Sequence, residues 1–286
     1  MQLRQWCLPL CFLSLTAVSA TVDQTLYINS GYLQTVDTLY LPQLAFNSTN
    51  QFDSRNVLIR IAVGDTLRLK LINNDTAHHT FAIKGTGVTA GPVAPGDSVE
   101  TDITFSQPGL FIYFDPADFP NNAYLGLAGM ISVEADNHQR FFWNLHTHQA
   151  DFNDSLSLGK PVDWSTFGPK YFTINGLSNP FINQDPTARI VGNVGDTILL
   201  CIANTGLSIH SLHLHGYHAT IVHSSKYPNH IGRSKDSVPI YSMETMILQI
   251  VPDKPGEFPV HDHNLVAVSG GNYYPSGMFT TMLISP

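Results

Sequence analysis

Apolar and polar residues alternate from Arg60 to Leu71 and again from Thr245 to Val251, the two-residue period of a strand with one buried face. Elsewhere Val, Ile, Leu and Phe come in short runs, broken at regular intervals by Gly, Pro, Asn and Asp. No segment sustains a helical period. Short strands and frequent turns predict an all-β chain built as a sandwich or barrel.

The pattern repeats. Val63-Gly64-Asp65-Thr66-Leu67 returns as Val194-Gly195-Asp196-Thr197-Ile198, a shift of 131 that also carries Asn73 onto Asn204 and His79 onto His210. Pro108-Gly109-Leu110-Phe111 returns as Pro255-Gly256-Glu257-Phe258, shifted by 147, and Gly129-Met130 as Gly277-Met278, shifted by 148. Three landmarks in one order predict a duplicated domain. The expected division is 21–140 for the first domain, 141–168 for a linker containing Gly159-Lys160-Pro161, and 169–286 for the second domain.

Residues 1–20 stand apart. Arg4, an apolar run from Cys7 to Val18 and the small residues Val18-Ser19-Ala20 form the pattern of a cleaved secretory signal, too short for a membrane span. A secreted or periplasmic protein beginning near Thr21, with no stable membrane span, is expected. That chain keeps 22 acidic residues against 13 basic ones, the 14 of the full sequence less Arg4, and has no basic run. Nucleic acid is therefore not an expected partner. Cys201 is the one cysteine outside the signal, and Ile198-Leu199-Leu200-Cys201-Ile202 places it in an apolar strand as a buried hydrophobe.

Candidate chemistry lies in the histidines. His210, His213, His215 and His218 fall within nine residues, and His261 and His263 flank Asp262. On strands, His213 and His215 share one face and His261 and His263 share one face. His210 and Asp262 point to the opposite side. If the two strands pair, four imidazoles converge outside while His210 meets Asp262 inside. Imidazole is the commonest protein ligand for copper and zinc, so the expected metal site is His213, His215, His261 and His263, with copper as cofactor and zinc as the alternative. The bland reading is a set of solvated strand histidines. The repeat offers a comparison: Ala82 and Lys84 replace the first pair in domain one, and Phe114 and Pro116 the second.

These motifs carry a family resemblance. His210-Ser211-Leu212-His213-Leu214-His215-Gly216 resembles the His-Pro-x-His-Leu-His-Gly segment of multicopper oxidases, and Pro255 to Met278 resembles their His-Cys-His segment with its trailing Gly-Met. The duplicated domains are similar to the cupredoxin modules of laccases and copper nitrite reductases. The resemblance implies two tandem cupredoxin-like Greek-key β-sandwiches. It also implies a remnant blue-copper position at His210, Asp262 and Met278. Asp262 stands where the ligating cysteine belongs, and Ala267 or Tyr273 where the second histidine belongs. In domain one His79 and Met130 remain, with Asp115 at the cysteine position and a residue near Leu125 at the second histidine. Blue copper depends on a copper–thiolate bond, so a non-blue protein is expected, with His210 and Asp262 as a buried hydrogen-bonded pair filling the old site. The family's trinuclear cluster takes eight histidines, and only the second-domain four are present here.

Other features add less. His146 and His148 form a further His-x-His that either completes the metal site or decorates a linker strand, the second being the expectation. His218 and His223 are candidate partners for orienting ligands. Asn47, Asn74 and Asn153 begin glycosylation sequons. No nucleophile elbow or phosphate loop appears. Three functions stay open: a copper oxidoreductase acting on a small molecule; a non-catalytic copper or zinc carrier exchanging metal with a donor or acceptor; a metal-free interaction scaffold. A homo-oligomer is compatible with each.

Overall fold

The computed structural model describes residues 19–286, so the expected signal segment lies outside the described residues except for Ser19 and Ala20. The first half contributes strands β1 (Thr21–Gln34), β2 (Tyr40–Asn47), β3 (Ile59–Ala62), β4 (Thr66–Asn73), β5 (His79–Ile83), β6 (Thr89–Val93), β7 (Ser98–Thr104), β8 (Gly109–Phe114) and β9 (Ala128–Glu134). The second contributes β10 (Gln139–His148), β11 (Tyr171–Ile174), β12 (Val191–Asn193), β13 (Ile198–Asn204), β14 (His210–Leu214), β15 (Ala219–Ser224), β16 (Ser234–Lys235), β17 (Ser237–Ile240), β18 (Glu244–Ile250), β19 (Gly256–Asp262) and β20 (Phe279–Ser285).

They form two sandwiches of the expected cupredoxin-like kind. Sheet β2-β1-β4-β7 faces sheet β3-β9-β8-β5-β6 in the first, and β11-β10-β13-β18-β15-β16 faces β12-β20-β19-β14-β17 in the second. The duplication is explicit in the pairing. β1 runs parallel to β4 as β10 does to β13, and β5 lies between β6 and β8 as β14 lies between β17 and β19. Each sandwich has its own apolar core, one around Phe46, Phe81 and Tyr113, the other around Trp143, Phe172 and Leu200. A third cluster joins them: Leu110, Ile112 and Met130 pack on Phe142, Cys201, Ala203 and Met243.

The expected linker needs correction. Residues 141–148 belong to β10, a central strand of the second sandwich and the counterpart of β1. Its odd positions Phe141, Trp143 and Leu145 enter the second core, while Phe142 packs between the domains. A strand buried on both faces loses the apolar–polar alternation that marks a strand in sequence. After it comes a short helix, α1 (Ala150–Ser157), which buries Phe152, Asn153 and Leu156. Two turns are too few for a helical period to stand out.

The domain-one methionine also needs correction. Gly126 and Gly277 both adopt positive φ, +119° and +58°, and a Cβ on either would come within 2.3 Å of a backbone carbonyl, Leu44 and Ala267 respectively. The backbone N–H of Asp115 donates to Leu127 O as that of Asp262 donates to Met278 O. Leu127, not Met130, is therefore the counterpart of Met278. Met130 lies in the cluster between the domains. The short Gly-Met match in sequence was three residues out of register with the glycine that the turn requires.

Candidate metal centre

β14 and β19 pair antiparallel with His213 directly opposite His261 and Leu212 opposite Asp262. Period-two geometry then sends His213, His215, His261 and His263 outward together. Ring centroids are 4.7 Å apart for His213–His215, 5.6 Å for His213–His261, 5.4 Å for His213–His263 and 5.1 Å for His215–His261. His213 and His261 are half-buried, and His215 and His263 are exposed.

Hydrogen bonds fix where the lone pairs point. His261 Nδ1 donates to the Asp262 carbonyl at 2.8 Å, which leaves Nε2 as an acceptor. His213 Nδ1 lies 3.1 Å from the Asp236 carbonyl and 2.9 Å from Ser237 Oγ, so it too carries its proton on Nδ1 and exposes a bare Nε2. His215 Nε2 stands 3.0 Å from His261 Nε2 and donates to it. Burial, and then the neighbouring imidazoles of His213, His261 and His263, hold the His215 pKa below its ordinary value. His215 therefore stays neutral to lower pH than an isolated histidine, as a ligand must.

One nitrogen pair has the spacing of two ligands on a borderline transition metal. With metal–nitrogen bonds of about 2.0–2.1 Å, adjacent ligand atoms lie about 2.9 Å apart at a right angle and about 3.3 Å apart in a tetrahedron. The His215–His261 separation of 3.0 Å falls in that interval. Among the described residues no group of three or more His, Cys, Asp or Glu is already placed to hold a metal ion. The two Nε2 atoms are held against each other by a proton that a metal would displace.

The interior face differs. His210 and Asp262 are fully buried, with Nδ1 2.5 Å from Oδ2. Met278 and Ala267 are fully buried nearby, the Met278 N–H donating to Ala267 O, whereas Tyr273 is exposed. In domain one the acceptor for the Leu127 N–H is Asn122 O, as Ala267 O is for the Met278 N–H.

Other histidines take other roles. His146 and His148 neither join the cluster nor decorate a surface; both are buried. His146 Nε2 donates to Tyr124 O at 2.7 Å, and its Nδ1 lies 3.2 Å from Thr205 Oγ1. Burial pushes the His146 pKa down to about 4 and that of His148 well below its ordinary value. His223 lies on the opposite sheet against Thr245, and His218 is exposed. The groups that orient His213 and His261 are Asp236, Ser237 and the Asp262 carbonyl. Asp236 and Ser237 carry no sequence signal, since β17 meets β14 only in the fold. Of the three sequons, Asn47 and Asn153 are buried and hydrogen-bonded, and Asn74 is exposed. Cys201 is buried in the inter-domain cluster, where burial pushes its thiol up to about 12. No helix among the described residues is long and apolar enough to cross a membrane.

Comparison with known proteins adds a similarity. Residues 157–286 match the multicopper oxidase family. The fold is shared with the blue copper oxidase of Nitrosomonas europaea at 21% identity, over 92% of this chain and 86% of that one, with a TM-score of 0.75. It is shared with the multicopper oxidase mgLAC at 21% identity, over 93% and 86%, with a TM-score of 0.76. The copper nitrite reductase of Nitrosomonas europaea is similar at 18% identity, over 93% and 94%, with a TM-score of 0.70. No curated protein sequence matches the chain.

Proposed function

We propose, on the match of residues 157–286 to the multicopper oxidase family, that His213, His215, His261 and His263 hold copper in a non-blue site that carries out redox chemistry on a small molecule outside the cytoplasm. The observation that carries this reading is the pair of Nε2 atoms 3.0 Å apart on His215 and His261, with the Nδ1 atoms of His213 and His261 tied back to protein acceptors. Copper bound there supplies one-electron chemistry. The chain's own residues supply the rest. Asp236 and Ser237 orient His213, and the Asp262 carbonyl orients His261. The exposed rims of His215 and His263 leave a substrate direct access. No thiolate links the site to the interior, so electrons must come and go through this open face. Association of copies that brings further ligands to the face would enlarge the site.

The same exposure supports a second reading, a protein that binds and passes on copper without turnover. The deciding experiment is copper content with absorption and EPR spectra of protein purified without a His-tag, followed by a screen for oxidase and reductase activity. Copper that is lost in the His213→Ala/His261→Ala double variant, together with metal-dependent turnover, supports the redox reading. Copper that exchanges freely without turnover supports the carrier. Protein that stays folded and refuses both copper and zinc overturns both.

A further inference from the structure

The buried pair beneath the histidine face has a twin. In domain two, Asp262 Oδ1 accepts from the backbone N–H of Ser211 at 3.1 Å and of Asn264 at 2.8 Å, and Oδ2 faces His210 Nδ1 at 2.5 Å. In domain one, Asp115 Oδ1 accepts from Thr80 at 3.1 Å and Ala117 at 2.8 Å, and Oδ2 faces His79 Nδ1 at 2.6 Å. The carboxylate makes the same three bonds in both, and Asp115 Oδ2 also accepts from Asn122 Nδ2 at 2.9 Å. Domain one has Ala82, Lys84, Phe114 and Pro116 in place of the histidine cluster. The bond set therefore does not depend on a metal. It is a strut that ties the start of β5 or β14 to the end of β8 or β19.

In domain two the strut has histidine neighbours on both sides. The Asp262 carbonyl receives His261 Nδ1, and the His263 N–H donates to Ser211 O at 2.7 Å. The carboxylate thus holds Ser211, Ser211 holds His263, and the same residue's carbonyl sets the ring of His261. An acceptor-only group with two oxygens is what three converging donors in a dry interior require.

We propose that Asp262, through its buried bonds to Ser211, Asn264 and His210, is the positioning residue of the four-histidine site. It sets the orientation of His261 and the placement of His263 from the interior position that the family gives to a metal-ligating cysteine. The proposal rests on the copper reading only for its affinity readout.

The test compares Asp262→Ala and Asp262→Asn with Asp115→Ala, the matching change in the domain without a cluster. Cu(II) is titrated into each protein, EPR spectra are recorded, and the ring ¹⁵N shifts of His261 are measured in the metal-free protein. Asp262→Ala should weaken Cu(II) binding by about tenfold or more, the usual effect of losing a ligand-orienting partner. It should also shift the His261 ring signals, because the backbone carbonyl of residue 262 that accepts from Nδ1 remains but is no longer held by the carboxylate's bonds. Asp262→Asn keeps an oxygen for both amides and should restore most of the affinity. Asp115→Ala should lower Tm while leaving the copper affinity and the His261 shifts as in the wild type. The double variant His210→Leu/Asp262→Leu, in which apolar groups of similar size replace the buried pair, a kind of change proteins often tolerate, should lose affinity as Asp262→Ala does. It decides the case if the alanine variant does not fold. Wild-type affinity and unchanged His261 shifts in the variants lacking the carboxylate would overturn the proposal. If the wild type binds no Cu(II), the copper reading falls, and the His261 shifts alone still decide whether Asp262 positions that ring.

Discussion

Asp75 Oδ2 lies 2.9 Å from Nε2 of His79 and closes the buried imidazole from its second side. The repeat places Gly206 at the matching position in domain two, where the buried Nε2 of His210 has no hydrogen-bond partner among the described residues. The two interior histidines, inherited at one place in the fold, now sit in different electrostatic settings.

The first prediction concerns alkaline stability. Burial opposes the charge on His79, but hydrogen bonds and attraction from Asp115 and Asp75 outweigh it and raise the pKa from 6.5 to about 9. A raised histidine pKa gives stability that is full below the unfolded value and is lost as pH rises through the folded value. Domain one should therefore lose up to about 3 kcal/mol between pH 6.5 and 9. Asp75→Ala should flatten that slope in urea titrations; an unchanged slope would mean His79 is neutral throughout.

The acid side has a different source. His146 is buried and neutral, with its pKa pushed down from 6.5 to about 4. The unfolded chain takes up the proton first, so stability falls as pH drops below 6.5 towards 4, by about 3 kcal/mol for this group. His146→Gln should show a shallower acid limb than the wild type. If both titrate alike, other groups govern acid unfolding.

Copper-loaded protein should show no intense thiolate-to-copper band in the visible, because Asp262 and no cysteine lies between His261 and His263, and the Cys201 thiol is buried with its pKa pushed up to about 12. Cys201→Ser should leave the EPR and absorption spectra unchanged. A spectral change in that variant would place the thiol near the metal and refute this layout.

The domains should unfold together. Phe142, 3% exposed, packs in the cluster that joins them while its neighbours Phe141 and Trp143 enter the second core. Phe142→Ala should cost about 3–5 kcal/mol and separate the single calorimetric transition into two. One unbroken transition in the variant would show that other contacts carry the coupling.

The sequence by itself determined the all-β class, the duplication and the outward convergence of His213, His215, His261 and His263, because these follow from local periods of two and from a repeat that needs no knowledge of packing. It also put His210 and Asp262 together on the interior side, since strand alternation and one pairing settle which side each faces. The tertiary structure alone decided the rest. β10 is hidden in sequence because both of its faces are covered, one by its own core and one by the neighbouring domain. The counterpart of Met278 is Leu127 because a turn needing positive φ, not a Gly-Met dipeptide, sets the register. His146 and His148 are interior because a second domain covers the strand that carries them. The partners that orient His213 lie on β17, which the chain brings beside β14 only when the sheet forms. Local pattern fixes which way a side chain points along its own strand; what stands opposite it depends on which distant strand arrives there.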